Sequence, residues 1–333
     1  EALLTTRPLK ILVIRLSAWG DVILTLDVVR RLVSVPGNEV HVLTKQKFSA
    51  VYRQEAGLQV HEVPDEASLR ELHDVIGKLR EEDFDYVIDL HSNLRSRLIC
   101  VLLMRTVLRI QKPRLRETLL FTLRGIGCLL YRRPYSRALV AIALVSPSSA
   151  LSPSRRDDST PGCWVALCGE TAWSTKQWPQ ERFLEVARRL KARDSAVKVV
   201  WLGLNQQQRL GADVCDEDAR GVADLQKLRT LLGRCQLLLC NDTGMMHLAE
   251  DQGVPVAAIF GPTTIELGFG PRLPQSRIIE RKLWCRPCSK NGSRCHRVIQ
   301  KQACLKSVSV DDVERIVTEM LTKPRSHGSL TAL

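Results

Sequence analysis

Short apolar runs of strand length alternate with segments of helical spacing along most of this chain, and the alternation is played through twice. LKILVIR, VHVLT, LQVHEVP and YVIDLHSNLRS read as strands, with helical spacing over Val22 to Val33 and Ala67 to Glu81 between them. CWVALCG, VKVVWLG, the apolar run Cys235 to Cys240 and VAAIFG read as a second set. Helical spacing there covers Gln180 to Arg193, a segment around Gln206 to Asp213, Leu225 to Arg234, Met245 to Gln252 and Val310 to Leu321. Alternation of this kind requires an α/β fold, a mostly parallel sheet covered by helices. The two sets are separated by SPSSALSPSRRDDSTPG, residues 146–162, which is rich in Ser and Pro and has no apolar period. A chain of 333 residues is long for one core. The expected organisation is therefore an N-terminal domain over 1–150, a linker over 146–162 and a C-terminal domain over 160–333.

Ligands bind open parallel sheets beyond the carboxyl ends of their strands, so the polar turns that follow the apolar runs are the places to look for chemistry. The turn Asn241-Asp242-Thr243-Gly244 leads into a helix. Open backbone N–H groups, the positive end of the helix dipole, a threonine hydroxyl and a glycine that permits close approach together suit a phosphate. Asn, Asp and Thr are also ordinary helix caps, so the turn alone leaves both readings open. The turn LSAWGD, after LKILVIR, places Ser17, Gly20 and Asp21 at a second strand end, where a lone Asp21 also suits a helix cap. YVIDLHSNLRS is a third strand end, directing His91, Ser92, Asn93, Arg95 and Arg97 toward the side that holds Asp21. No Gly-x-Gly-x-x-Gly is present, which argues against an ordinary dinucleotide enzyme.

NDTGMMHLAEDQGVPVAAIFGPT resembles the donor-site signature of glycosyltransferase family 9, the lipopolysaccharide heptosyltransferases. KILVIRLSAWGDVILTL resembles that family's other signature. Lys176-Gln177-Trp178-Pro179 lies between the two and also matches, so the resemblance runs through nearly the whole chain. It implies the GT-B architecture, two Rossmann-like domains with parallel sheets facing across a central cleft. The N-terminal domain would bind the acceptor and the C-terminal one a nucleotide sugar. The implied reaction is inverting, metal-independent transfer of heptose from ADP-heptose to a hydroxyl of the lipopolysaccharide inner core, on Kdo-lipid A or a core heptose. In it Asp21 is the catalytic base and Lys176 offsets charge on the leaving diphosphate. Thr175, Lys176, Asn205, Asp242, Thr243, Gly244, Met245 and His247 would bind the donor. Ser17, Gly20, His91, Asn93, Arg95, Arg97, Arg114 and Arg116 would meet the acceptor. No cofactor is implied. The chain departs from the family pattern at Asn205-Gln206, where some heptosyltransferases place a ribose-binding Glu, and at Trp19, where a small or aliphatic residue is usual.

The formal charge of +13 is concentrated. Between Arg95 and Arg137 eleven Arg and Lys residues face one acid, Glu117, and apolar runs such as LICVLLM lie among them. Aromatic platforms for single strands are scarce and no helix-turn-helix or finger pattern is present, so nucleic acid is not the expected partner. An anionic membrane surface and a phosphorylated lipid-linked saccharide fit better, although a solvated helix face has the same composition. With no run near the roughly 20 apolar residues that span a bilayer, the expected place is the cytoplasm, peripheral on the inner face of the inner membrane. Clustered carboxylates that would hold a catalytic metal are missing from the strand ends. Cys285, Cys288, Cys295 and Cys304 are a candidate structural cluster for zinc, although the second pair is spaced more widely than finger ligands. Two other readings remain: a transferase of the same fold using another nucleotide sugar, and a non-catalytic binder of anionic lipid or nucleic acid driven by the basic window.

Overall fold

The computed structural model describes residues 8–111, 114–130, 140, 141, 143, 163–203, 211 and 213–322. The expected linker, the segment around Gln206 and Asn205 itself lie outside these residues. The chain divides into two compact units. Of the described residues, the first takes 8–111, 140, 141 and 143, and the second takes 114–130 and everything from 163 onward.

The first unit runs β1 (Lys10–Ile14), α1 (Trp19–Leu24), α2 (Leu26–Val33), β2 (Glu39–Lys45), α3 (Ala50–Arg53), β3 (Leu58–Val63), α4 (Leu69–Glu81), β4 (Tyr86–Asp89), α5 (Leu94–Leu103) and β5 (Thr106–Arg109). Its five strands are all parallel, in the order β3-β2-β1-β4-β5. Ile11 to Ile14 are fully buried, as expected of a strand covered on both faces. The helical spacing read over Val22 to Val33 is split in two at Thr25. Its hydroxyl lies 2.5 Å from both the Val22 carbonyl and the buried Tyr52 hydroxyl. Helix α4 starts two residues later than the apolar spacing suggested, because Ser68 and Glu71 form a capping box there.

The second unit runs α6 (Arg114–Leu130), β6 (Cys163–Cys168), α7 (Gln180–Arg193), β7 (Val197–Gly203), β8 (Glu217–Arg220), α8 (Leu225–Gly233), β9 (Cys235–Asn241), α9 (Gly244–Asp251), β10 (Val256–Phe260), β11 (Arg277–Glu280), α10 (Ala303–Lys306) and α11 (Val310–Thr322). Its parallel sheet has the order β11-β10-β9-β6-β7-β8. Trp178 and Phe183 anchor its core edge to face, and the Trp178 indole N–H donates to the Val308 carbonyl at 3.1 Å. The sequence had put residues 114–130 in the N-terminal domain. They pack instead with the second unit, where Lys290 pairs with Glu117 at 2.8 Å and the Gly125 N–H donates to the Trp284 carbonyl.

Both sheets reverse their strand order once, between β1 and β4 in the first and between β6 and β9 in the second. Such a switch point opens a crevice beyond the carboxyl ends of the two strands, because their following loops leave in opposite directions.

One buried carboxylate shapes the turn after β4. Asp89 accepts from the N–H groups of His91 (3.1 Å) and Ser92 (2.7 Å), from the Ser96 hydroxyl (3.1 Å) and from Arg109 Nε (2.8 Å). These bonds hold Ser92 at φ +49°, a left-handed conformation that a serine does not take unaided. Asp89→Asn is expected to lower unfolding free energy by about 2–3 kcal/mol, since it removes the charge from four donors. Equilibrium urea denaturation of the two proteins measures the difference, and equal midpoints would remove Asp89 from this role.

Candidate functional sites at the two switch points

At the first switch point the side chains are Arg15, Asp21 and the turn that follows β4. Arg15 directly follows β1, is buried, and donates from Nη1 to the Leu90 carbonyl at 2.6 Å. Its other terminal nitrogen pairs with the Asp21 carboxylate. Asp21 sits in the first turn of α1 but does not cap it: the cap position is Ala18, and no side chain bonds there. The carboxylate is therefore held toward the strand end and stays partly open to solvent. Beneath it lies Tyr52, whose burial pushes its hydroxyl far above the usual phenol range, against a smaller opposing effect of the Thr25 bond. Ser17 and Gly20 are half-buried on the same turn.

The turn after β4 contributes His91, which is half-buried, and the first turn of α5 carries Arg95 and Arg97, which are exposed. Asn93 is exposed too, but its side-chain oxygen is committed to a capping box with Ser96, accepting from the Ser96 N–H at 2.8 Å. Its first task is to start α5. Arg116 lies in the second unit with α6; the Arg114 side chain lies outside the described residues. Arg15 and Asp89 were not among the expected site residues, although each is a charge at the end of an apolar strand run.

At the second switch point the loop after β6, the turn after β9 and the turn after β10 converge. Fully buried Asn241 joins two of them: its side-chain oxygen accepts from the Trp178 N–H at 3.0 Å and its amide donates to the Gly169 carbonyl at 2.7 Å. The next residue, Asp242, receives the Lys176 ammonium at 2.6 Å and the Thr263 hydroxyl at 2.6 Å. Thr243 is the cap residue of α9 but makes no side-chain cap bond. Its hydroxyl and the first N–H groups of the helix are then not consumed as they are in an ordinary capped helix, and they suit an anion. Met245 and His247 are buried in the first turns of α9.

Thr175 and Lys176 are covered by a segment the sequence did not connect with them. The Thr175 hydroxyl donates to the Gly292 carbonyl. Gly292 has φ +77°, and a Cβ there would stand 2.4 Å from Cδ and 2.5 Å from Cγ of Lys176. Only a residue without a side chain lets the lysine stem pass. A second unforeseen group is Glu170, whose carboxylate lies against the end of β7: a Cβ on Gly203 would fall 2.9 Å from its Cδ.

The four clustered cysteines belong to the segment that carries Gly292. Cys285, Cys288 and Cys304 are buried and Cys295 is half-buried. Burial raises the Cys304 thiol to about 11 and also raises Cys288. His296 is occupied by the Cys288 carbonyl at 2.6 Å. No three of these sulfurs lie within 4.8 Å of one another, so among the described residues they are not gathered as a closed four-thiolate centre. No described helix is long and apolar enough to cross a membrane.

Comparisons with known proteins give these features a family. Residues 146–299 match the profile of glycosyltransferase family 9 (heptosyltransferase). Lipopolysaccharide heptosyltransferase 1 of Pseudomonas aeruginosa is 27% identical over 236 residues, and the aligned stretch spans 64% of each protein. Among solved structures, the family 9 glycosyl transferase of Veillonella parvula superposes with a TM-score of 0.70 at 19% identity, covering 94% of this chain and 97% of that one. The heptosyltransferase WaaC of E. coli, solved with ADP-2-deoxy-2-fluoro heptose, gives 0.66 at 17%, covering 93% and 99%. Two parallel α/β units with their polar clusters at the switch points, a family profile over part of the chain and a distant heptosyltransferase relative agree on one point: residues 146–299 carry the profile of glycosyltransferase family 9.

Proposed function

We propose that this chain transfers a heptose from ADP-heptose to a hydroxyl of the lipopolysaccharide inner core, on Kdo-lipid A or a core heptose, with inversion and without a metal. The observation that carries this reading is the cluster of Lys176, Asp242 and Thr263 beside the uncapped start of α9. It offers a diphosphate a full positive charge, a hydroxyl and backbone donors in one fixed place. The Lys176 ammonium has three N–H groups, so it can keep Asp242 and still donate to a phosphate oxygen. One similar solved protein holds an ADP-sugar analogue, which supports the choice of nucleotide.

In the proposed reaction Asp21 accepts the proton of the acceptor hydroxyl as its oxygen attacks the anomeric carbon. Attack from the face opposite the leaving group inverts that carbon in one displacement. Arg15 fixes the direction of the carboxylate. The ADP leaves with its growing charge met by Lys176, Thr243 and the N–H groups of Gly244 and Met245, while Thr175 adds a hydroxyl once it releases Gly292. For the nucleotide ribose, Glu170 stands beside the end of β7 and is our candidate carboxylate, with Asn205 following that strand. His247 would stay in support beneath the phosphates.

For the acceptor, His91, Arg95 and Arg97 stand on the side of the first sheet that holds Asp21, with positive charge suited to a phosphorylated lipid-linked saccharide. Helix α5 also exposes Leu94, Leu98 and Val101, whose i, i+4, i+7 spacing makes one apolar stripe among these arginines. That combination supports a peripheral position on the inner face of the inner membrane.

Calorimetric titration with ADP and then ADP-heptose, both in EDTA, tests the donor half. Binding without metal is expected, and Lys176→Ala is expected to weaken it and slow turnover together; binding to neither nucleotide would point to another sugar donor or to a non-catalytic binder. Asp21→Ala is expected to lower turnover at least about a hundredfold with little change in ADP affinity, and unimpaired turnover removes it as the base. Gly292→Ala adds a left-handed strain and displaces the Lys176 stem. It is expected to weaken ADP binding about 5–30-fold, from roughly 1–2 kcal/mol of strain.

A further inference from the structure

At the amino-terminal edge of the first sheet, away from the switch point, a second polar cluster has no part in the reaction above. His41 on β2 is fully buried, with Phe84 packed edge-on at 5.0 Å. Its Nε2 meets the Glu39 carboxylate at 2.9 Å and its Nδ1 meets His61 Nε2 at 2.7 Å. His61 on β3 is the diagonal neighbour of His41, because Leu43 pairs with His61 in the register of the two strands. Glu82, the cap residue after α4, brings a carboxylate oxygen within 4.8 Å of one ring nitrogen of each histidine.

The geometry points to a divalent transition-metal site of the zinc type, with His41 Nδ1, His61 Nε2 and a Glu82 oxygen as ligands and Glu39 as the outer partner of His41. A carboxylate can only accept, so it fixes the His41 proton on Nε2 and leaves Nδ1 as a lone pair directed at His61. Two imidazoles and one carboxylate are a ligand set for Zn2+ with water in the fourth position. Burial and the neighbouring His41 hold the pKa of His61 below its usual value, which favours the neutral, ligating form at neutral pH. Tetrahedral bonds of about 2.05 Å need the two nitrogens about 3.3 Å apart, so the rings must separate by about 0.6 Å. The proton now shared between them moves to His61 Nδ1, and the ion takes its place.

One group opposes the ion. Lys10 places its ammonium 2.6 Å from Glu82 and 3.2 Å from Glu39, and satisfies the same two carboxylates. Its stem is flexible and partly exposed, so the ammonium can swing out, but a metal must displace it. Lys10 thus acts as a built-in competitor. The site lies opposite the strand ends that carry the chemistry, and a bound ion would tie β2, β3 and the end of α4 together.

The test is calorimetric Zn2+ titration of the full chain, paired with the visible spectrum of bound Co2+, for the wild type, His61→Gln and Lys10→Gln. The wild type is expected to take up one ion whose Co2+ spectrum lacks a thiolate charge-transfer band, which separates it from binding at the cysteines. His61→Gln is expected to lose that one equivalent. Lys10→Gln is expected to bind it several-fold more tightly, a gain that misfolding cannot imitate. Equal stoichiometry and affinity in the wild type and His61→Gln overturns the assignment, as does an affinity in Lys10→Gln no higher than in the wild type.

Discussion

The buried amide of Asn241 is the contact on which the candidate donor site depends. It is the last residue of β9, it sits beside β6, and it bonds the backbone of the β6 loop at both Gly169 and Trp178. A side chain with one acceptor and one donor end can hold two backbone points at once; an aspartate there would lose one of them and bring a charge into the core. With those points fixed, Lys176 lies two residues from an anchored backbone, and Asp242 follows directly on the anchor.

The first unit solves the same problem with a carboxylate. Asp89 ends β4 beside β1 and gathers two backbone N–H groups, a hydroxyl and a guanidinium. Four donors on one buried anion keep its desolvation tolerable, which a neutral side chain with two lone pairs would do less completely. Both units therefore place a polar hub at the end of the strand where the sheet order reverses. The reactive candidates sit one or two residues beyond each hub, or on the neighbouring loop.

Much of this was legible in the sequence because parallel strands are apolar runs and their ends carry the polar turns. The strand ends at Ile14, Asp89, Cys168 and Asn241 were readable in that way, and so were the turns after them. Strands β5, β8 and β11 were not: TVLR, EDAR and RIIE are short outer strands whose charges interrupt the apolar pattern, as sheet edges commonly require. The placement of α6 was missed because basic composition says nothing about which core a helix joins; that was decided by contacts with Trp284 and Lys290, far along the chain. Gly292 and Glu170 were invisible for a related reason. Each matters through a neighbour distant in sequence or on another strand, and a lone Gly or Glu in a loop carries no period that would announce it.

Under the proposed donor reading, the contact between Thr175 and the Gly292 carbonyl would give the cysteine-rich segment a stake in nucleotide occupancy. That hydroxyl cannot serve the segment and a phosphate equally, so the segment's local opening and the affinity of the site share one free energy. The looser the segment is held by its buried sulfurs, the more readily the hydroxyl is released, and a substitution among those cysteines would then retune nucleotide affinity from a distance. Under that reading, amide hydrogen exchange along 285–304 would carry the imprint of a bound nucleotide.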